Sequence, residues 1–142
     1  SNNSILKQQK LKISEYETTL LNSKKIDITT LCGLAAYNEL NVIFIKDKIY
    51  YHFNFGDPDN TIIIYQEGKN YSCEINPSKQ LVETIHNNYY YVENPNKPIK
   101  GMSTYKLAEL IDICNKLGVK IQLESGKKKS KKQLYTEIQT YF

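Results

Sequence analysis

Between Val42 and Ile75 the chain carries four short runs rich in β-branched and aromatic residues, each bounded by turn chemistry. No other stretch constrains the fold as much. Val42–Ile45 (VIFI) and Ile49–Phe55 (IYYHFNF) flank the tight Lys46-Asp47-Lys48 turn, and Thr61–Gln66 (TIIIYQ) and Tyr71–Ile75 (YSCEI) flank Glu67-Gly68-Lys69-Asn70. Such residues suit a pleated, half-buried surface, and paired runs of this length read as β-hairpins. Gly56-Asp57-Pro58-Asp59-Asn60 between the pairs is a dense turn signal. Four consecutive strands predict a small antiparallel sheet of two hairpins.

Helical patterns surround these strands. Ser4 to Asn22 shows an irregular apolar stripe through Ile5, Leu6, Ile13, Tyr16, Leu20 and Leu21. Asp27 is placed to cap a second helix, ITTLCGLAAYNEL, which would turn Leu31, Leu34, Ala35 and Tyr37 or Asn38 inward. Pro77 followed by SKQLVETIHNN predicts a third helix over Ser78–Asn87, with Leu81, Val82 and Ile85 inward, and YYYVE predicts a short edge strand. The expected class is α+β, with the sheet packed against helices on one side. A length of 142 residues fits one domain, or one small domain with a helical appendage.

Two prolines and a glycine in ENPNKPIKG mark the best linker signal. The expected organisation is a core over 1–93, a linker over 94–102 and a helical hairpin over 103–142. Leu107, Leu110, Ile111, Cys114 and Leu117 follow helical spacing, and Gly118 is a helix stop. Ser130 and Gln133 form a capping-box pattern, after which Leu134, Ile138, Tyr141 and Phe142 give an apolar face. Val119, Ile121 and Leu123 form the extended link on which both short helices would pack.

Charge separates the tail from the rest. All nineteen basic residues are lysine, and the net charge is +4. Residues 1–99 hold ten lysines against eleven acids, or −1, and residues 100–142 hold nine against four, or +5. Five of these, Lys127, Lys128, Lys129, Lys131 and Lys132, gather where the last helix should begin. A helix N-terminus carries a partial positive charge, so cations there stabilise nothing in the isolated chain. Their placement fits an anion-binding site completed by phosphate. Without arginine there is no planar fork to read guanine edges, so contacts to nucleic acid or another polyanion would be point-charge contacts, weakly sequence-specific and salt-sensitive.

Other chemistry is thin. Cys32, Cys73 and Cys114 are widely spaced and form no CxxC pair, which argues against a disulfide framework or zinc knuckle and for a reducing compartment. Cys32 near a helix start followed by His52 permits the chain order of a cysteine protease, but Cys32 is expected on a buried face as a small hydrophobe. Asp57, Asp59 and Asn60 read as a turn, while His52 and His86 lack a second ligand at metal spacing. No cofactor or metal is expected. No run approaches a membrane span, and the opening residues lack a secretory core. The abrupt helical opening fits a fragment of a longer protein. Tyr50–Tyr51 and Tyr89–Tyr90–Tyr91 are read mainly as packing residues, with base stacking or a protein contact as the alternatives.

Leu107 to Phe142, through LAELIDICNKLGV, GKK and LYTEI, resembles the SAP helix–extended–helix DNA-binding module, with a longer and more lysine-rich loop. That resemblance implies backbone contacts at the N-terminus of the second helix. TTLCGLAAYNELNVIFIKDKIYYHF, NPNKPIKGMSTYKLAELIDICNKLG and GKKKSKKQLYTEIQTYF also resemble the C-terminal part of an uncharacterised protein type of large nucleocytoplasmic DNA viruses. In that type an upstream segment, lacking here, resembles papain-like or ovarian-tumour-type cysteine proteases. Three expectations result. The leading one is a non-enzymatic viral interaction domain whose tail binds nucleic acid or another polyanion, located in host cytoplasm or the virion. The second is the C-terminal portion of a deubiquitinase-like protease whose nucleophile lies elsewhere. The third is a structural virion protein with viral or host protein partners.

Overall fold

A computed structural model describes residues 28–142. The helix expected over Ser4–Asn22 and the Asp27 cap lie outside the described residues. Helix α1 spans Ile28–Tyr37, and strands β1 to β4 span Asn41–Lys46, Ile49–Asn54, Thr61–Glu67 and Asn70–Ile75. Helix α2 (Lys79–Asn88), strand β5 (Tyr90–Tyr91), a 3-10 turn at Met102–Thr104 and helices α3 (Leu107–Leu117) and α4 (Lys131–Tyr141) follow.

The class is α+β, and the strands form one five-stranded sheet in the order β4-β3-β1-β2-β5. The sheet is mixed, which corrects the antiparallel expectation. β1 pairs with β3 in parallel, from Asn41 opposite Thr61 to Lys46 opposite Gln66. β3 pairs with β4 antiparallel, and β2 with β5 in parallel through Ile49–Tyr90 and Tyr50–Tyr91.

The cause lies in the Gly56–Asn60 loop. Both of its ends are bonded to the start of β1: Phe55 N–H donates to Leu40 C=O at 3.4 Å, and Asn41 N–H donates to Asn60 C=O at 3.0 Å. The loop therefore crosses beneath β1 and starts β3 level with it, on the side β2 does not occupy. The Asn41 side chain holds this crossing. Its Oδ1 accepts from Gly56 N–H at 2.9 Å and its Nδ2 donates to Asp57 C=O at 2.8 Å. Gly56 is required there, because a Cβ would stand 1.9 Å from Glu39 C=O.

The chain forms two compact units. The first is organised by β1, β3, β4 and α1. As the central strand, β1 is buried from Asn41 through Ile45, and such strands read as continuous apolar runs rather than alternating ones. Leu31 and Ala35 of α1 meet Val42, Phe44, Ile62 and Ile64 in one cluster, with Tyr51, Phe53 and Tyr71 packed around it. Asn38 is half-buried and Tyr37 is 85% exposed, so the inner face of α1 ends on Asn38.

The second unit holds Lys48–Tyr50 and Gln80–Phe142. Val92 N–H donates to Tyr50 C=O and Tyr90 N–H to Lys48 C=O, each at 2.9 Å, which extends the β5 pairing. α3 and α4 pack together through Leu110, Ile113, Cys114, Leu117, Leu134 and Ile138, all buried. The inner face of α3 is rotated from the expected one: Ile113 is buried, while Leu107 is 48% exposed. Residues 94–102 are tied to the chain on either side: Tyr90 Oη donates to Pro98 C=O at 2.7 Å, and Lys100 N–H donates to Tyr105 Oη at 3.0 Å.

Candidate polyanion-binding site

The lysine cluster lies on a short extended segment and the helix it enters. Gly118, in the left-handed region at φ 74°, ends α3, and its N–H donates to Cys114 C=O. The chain then runs through Val119–Leu123 and turns at Gly126, also left-handed at φ 84°. Leu123 N–H donates to Lys127 C=O at 2.8 Å and Lys129 N–H to Ile121 C=O at 3.0 Å. A bridge between Gln122 and Lys128 completes this small antiparallel ladder. The loop that carries Lys127 to Lys129 is thereby anchored on the link between the two helices.

Alternation along this segment sends neighbouring side chains to opposite faces. Lys129 turns inward: its Nζ donates to Glu137 Oε2 at 2.6 Å and to Lys120 C=O at 2.8 Å. Only 10% of its side chain is exposed. Of the other members, Lys127, Lys128 and Lys132 are exposed and Lys131 is half-buried. Of the five lysines, Lys129 is thus a structural brace, a role that sequence reasoning missed. Its partner Glu137 lies eight residues away, outside the i,i+4 spacing by which helical pairs are recognised.

Helix α4 starts at a formed capping box. Ser130 Oγ accepts from Gln133 N–H at 3.2 Å, and Gln133 Oε1 accepts from Ser130 N–H at 2.8 Å. That satisfies one of the helix's leading N–H groups; those of Lys131 and Lys132 belong to the same first turn, where the partial positive charge of the helix is concentrated. No acid lies in this first turn. Lys127, Lys128 and Lys132 are thus exposed within a few residues of a positive helix end, with no carboxylate in its first turn to offset them.

Residues with other chemistry are not brought together. All three cysteines are free thiols. Burial, reinforced by Glu137 and opposed by Lys129, pushes the Cys114 thiol up, away from nucleophilic reactivity. Cys32 is half-buried on α1 rather than fully inside. Asp57 Oδ1 accepts from Asp59 N–H at 3.0 Å, the Asx-turn geometry of a plain turn. Among the described residues no group of three His, Cys, Asp or Glu side chains could hold a metal. Among the same residues no helix is long and apolar enough to cross a membrane. No protein-family model, no curated protein and no solved structure matches this chain.

Proposed function

We propose that this chain is a non-enzymatic binding module whose α4 N-terminus engages the phosphates of nucleic acid or another polyanion through Lys127, Lys128, Lys131 and Lys132. The observation that carries this reading is the division within the lysine cluster. Lys129 is consumed by Glu137 and the Lys120 carbonyl, while Lys127, Lys128 and Lys132 are exposed near the positive end of a helix. Cations held against a like-signed dipole cost stability, and an anion between them reverses the sign of that term. The SAP resemblance of the tail points to the same helix end. Since lysine is a point charge without a bidentate fork, recognition is of backbone rather than base edges.

A salt titration tests the reading. Binding of labelled duplex DNA and RNA is followed by fluorescence anisotropy across a range of salt concentrations, for the protein and for a Lys127→Ala/Lys128→Ala/Lys132→Ala variant. The logarithm of affinity should fall linearly with that of salt, and the variant should flatten the slope by about 2–3, one for each ammonium group that no longer meets a phosphate. No binding at low salt, or an unchanged slope in the variant, rejects it.

A further inference from the structure

In the second unit, the segment from β5 to the start of α3 forms a cleft of about 710 Å³ lined by Tyr90, Tyr91, Glu93, Lys97, Lys100 and Tyr105. The cleft has an ordered aromatic side. Tyr91 stacks on Tyr50 with centroids 5.1 Å apart and planes 24° from parallel, and Tyr50 stacks on His86 at 5.5 Å and 21°. Tyr50 in the middle is buried, whereas Tyr91 at the cleft is 42% exposed. A column of three rings thus presents its outermost member to solvent, held flat by the ring behind it.

The lining of the cleft also carries two lysines. Lys97 and Lys100 are exposed, and the Lys100 ammonium is 3.7 Å from the Glu93 carboxylate. Both members of that pair are more than half exposed, so the attraction is weak and an incoming anion competes for Lys100. The wall between them is fixed by the Tyr90–Pro98 and Lys100–Tyr105 hydrogen bonds. An exposed ring and two ammonium groups lining one cleft match one nucleotide, base on the ring and phosphate on the lysines. Only an unpaired base can offer its face in this way.

The cleft is also tied to the helix start. Tyr135 Oη donates to Lys100 C=O at 2.7 Å, and Tyr135 lies one turn beyond Lys131 on α4. Residues at that spacing share a helix face, so one tyrosine side chain connects the cleft rim to the lysine-bearing end. We infer that the cleft holds one unpaired nucleotide of a single-stranded nucleic acid, its base laid on Tyr91 and its phosphate between Lys97 and Lys100. The inference deepens the proposed polyanion binding by naming single strands as its substrate, and rests on that reading for the phosphates beyond the first.

The test compares labelled oligo-dT with a duplex of equal length at fixed salt, by anisotropy, with thymidine 5′-monophosphate as competitor. Oligo-dT should bind more tightly than the duplex. Tyr91→Ala should weaken oligo-dT about tenfold, the size of one missing base stack, and leave the duplex unchanged. Tyr91→Phe should keep the affinity, and Glu93→Gln should raise it. Equal binding of both probes, or loss of affinity in Tyr91→Phe, overturns the cleft assignment. So does oligo-dT affinity that withstands Tyr91→Ala but falls in the Lys127/Lys128/Lys132 variant, an outcome that leaves the tail reading standing. The reverse pattern supports the cleft and removes the tail. Competition by the monophosphate as strong as by an equal nucleotide concentration of oligo-dT overturns the strand as occupant in favour of a free nucleotide.

Discussion

Individual residues with similar chemistry serve different ends in this chain, and burial decides which. Asn41 and Lys129 are both polar groups taken largely out of water, and each is matched by partners that remove the cost. Asn41, 3% exposed, uses its acceptor and its donor on the backbone of the crossing loop, so its amide sets strand order rather than chemistry. Lys129 uses two of its three N–H donors on Glu137 and Lys120. Lys129→Met keeps the length and the apolar stem but leaves Glu137 and the carbonyl unmatched. A loss of about 1–2 kcal/mol in denaturant unfolding is expected, below the value of a fully buried pair because Glu137 is partly solvated. The slope of polyanion affinity against salt should stay within experimental error of the original. A stable Lys129→Met protein with a flattened slope would make Lys129 a ligand and not a brace.

At the scale of elements, the last helix shows how its cap and its charge can be separated. Ser130→Ala removes the side-chain acceptor of the capping box and should cost about 1 kcal/mol, read as a lower melting temperature and loss of amide protection in the first turn of α4. Ser130→Asp restores an acceptor and adds a carboxylate that favours the helix dipole. It should therefore recover stability while weakening polyanion binding. Recovery of both would mean that the helix end is not where the anion sits. The capping box, the Gly118 stop and the lysine cluster at the start of α4 were legible in the sequence, because each is set by residues within one or two turns of one another. The positions of the four central strands were legible for the same reason. Their pairing was not: it depends on the loop bonded beneath β1, and Asn41 looks in sequence like any strand-edge residue. The rotation of the α3 face, with Ile113 inside and Leu107 outside, and the cleft that joins Tyr91 to Lys97 and Lys100 both arise from tertiary contacts that no local period encodes.

The whole molecule concentrates tyrosine as well as charge, and the two lead to opposite behaviour at the extremes of salt and pH. A net positive charge concentrated in residues 100–142 makes binding the salt-sensitive property. The packed tyrosines make folding the alkali-sensitive one. Burial, with a smaller contribution from Tyr91, pushes the Tyr50 phenol up to about 12 from its ordinary 10.0. Burial is also the first cause that raises Tyr51, Tyr90 and Tyr91. A phenol that ionises later in the fold than in the unfolded chain favours the fold for as long as the unfolded chain keeps its proton. That contribution is complete below pH 10 and is lost as pH rises towards about 12, where Tyr50 ionises in place. Three of these tyrosines, Tyr50, Tyr90 and Tyr91, belong to the second unit. Raising the pH through this window should therefore release the tyrosinate absorbance of these three rings in one cooperative step, coincident with loss of the helical circular dichroism of α2 to α4. Replacing Tyr50 with Phe should move that step to higher pH. Complete tyrosinate absorbance reached with the helical signal intact and no cooperative step would show that these rings are not held by packing, and the platform assigned to Tyr91 would go with it.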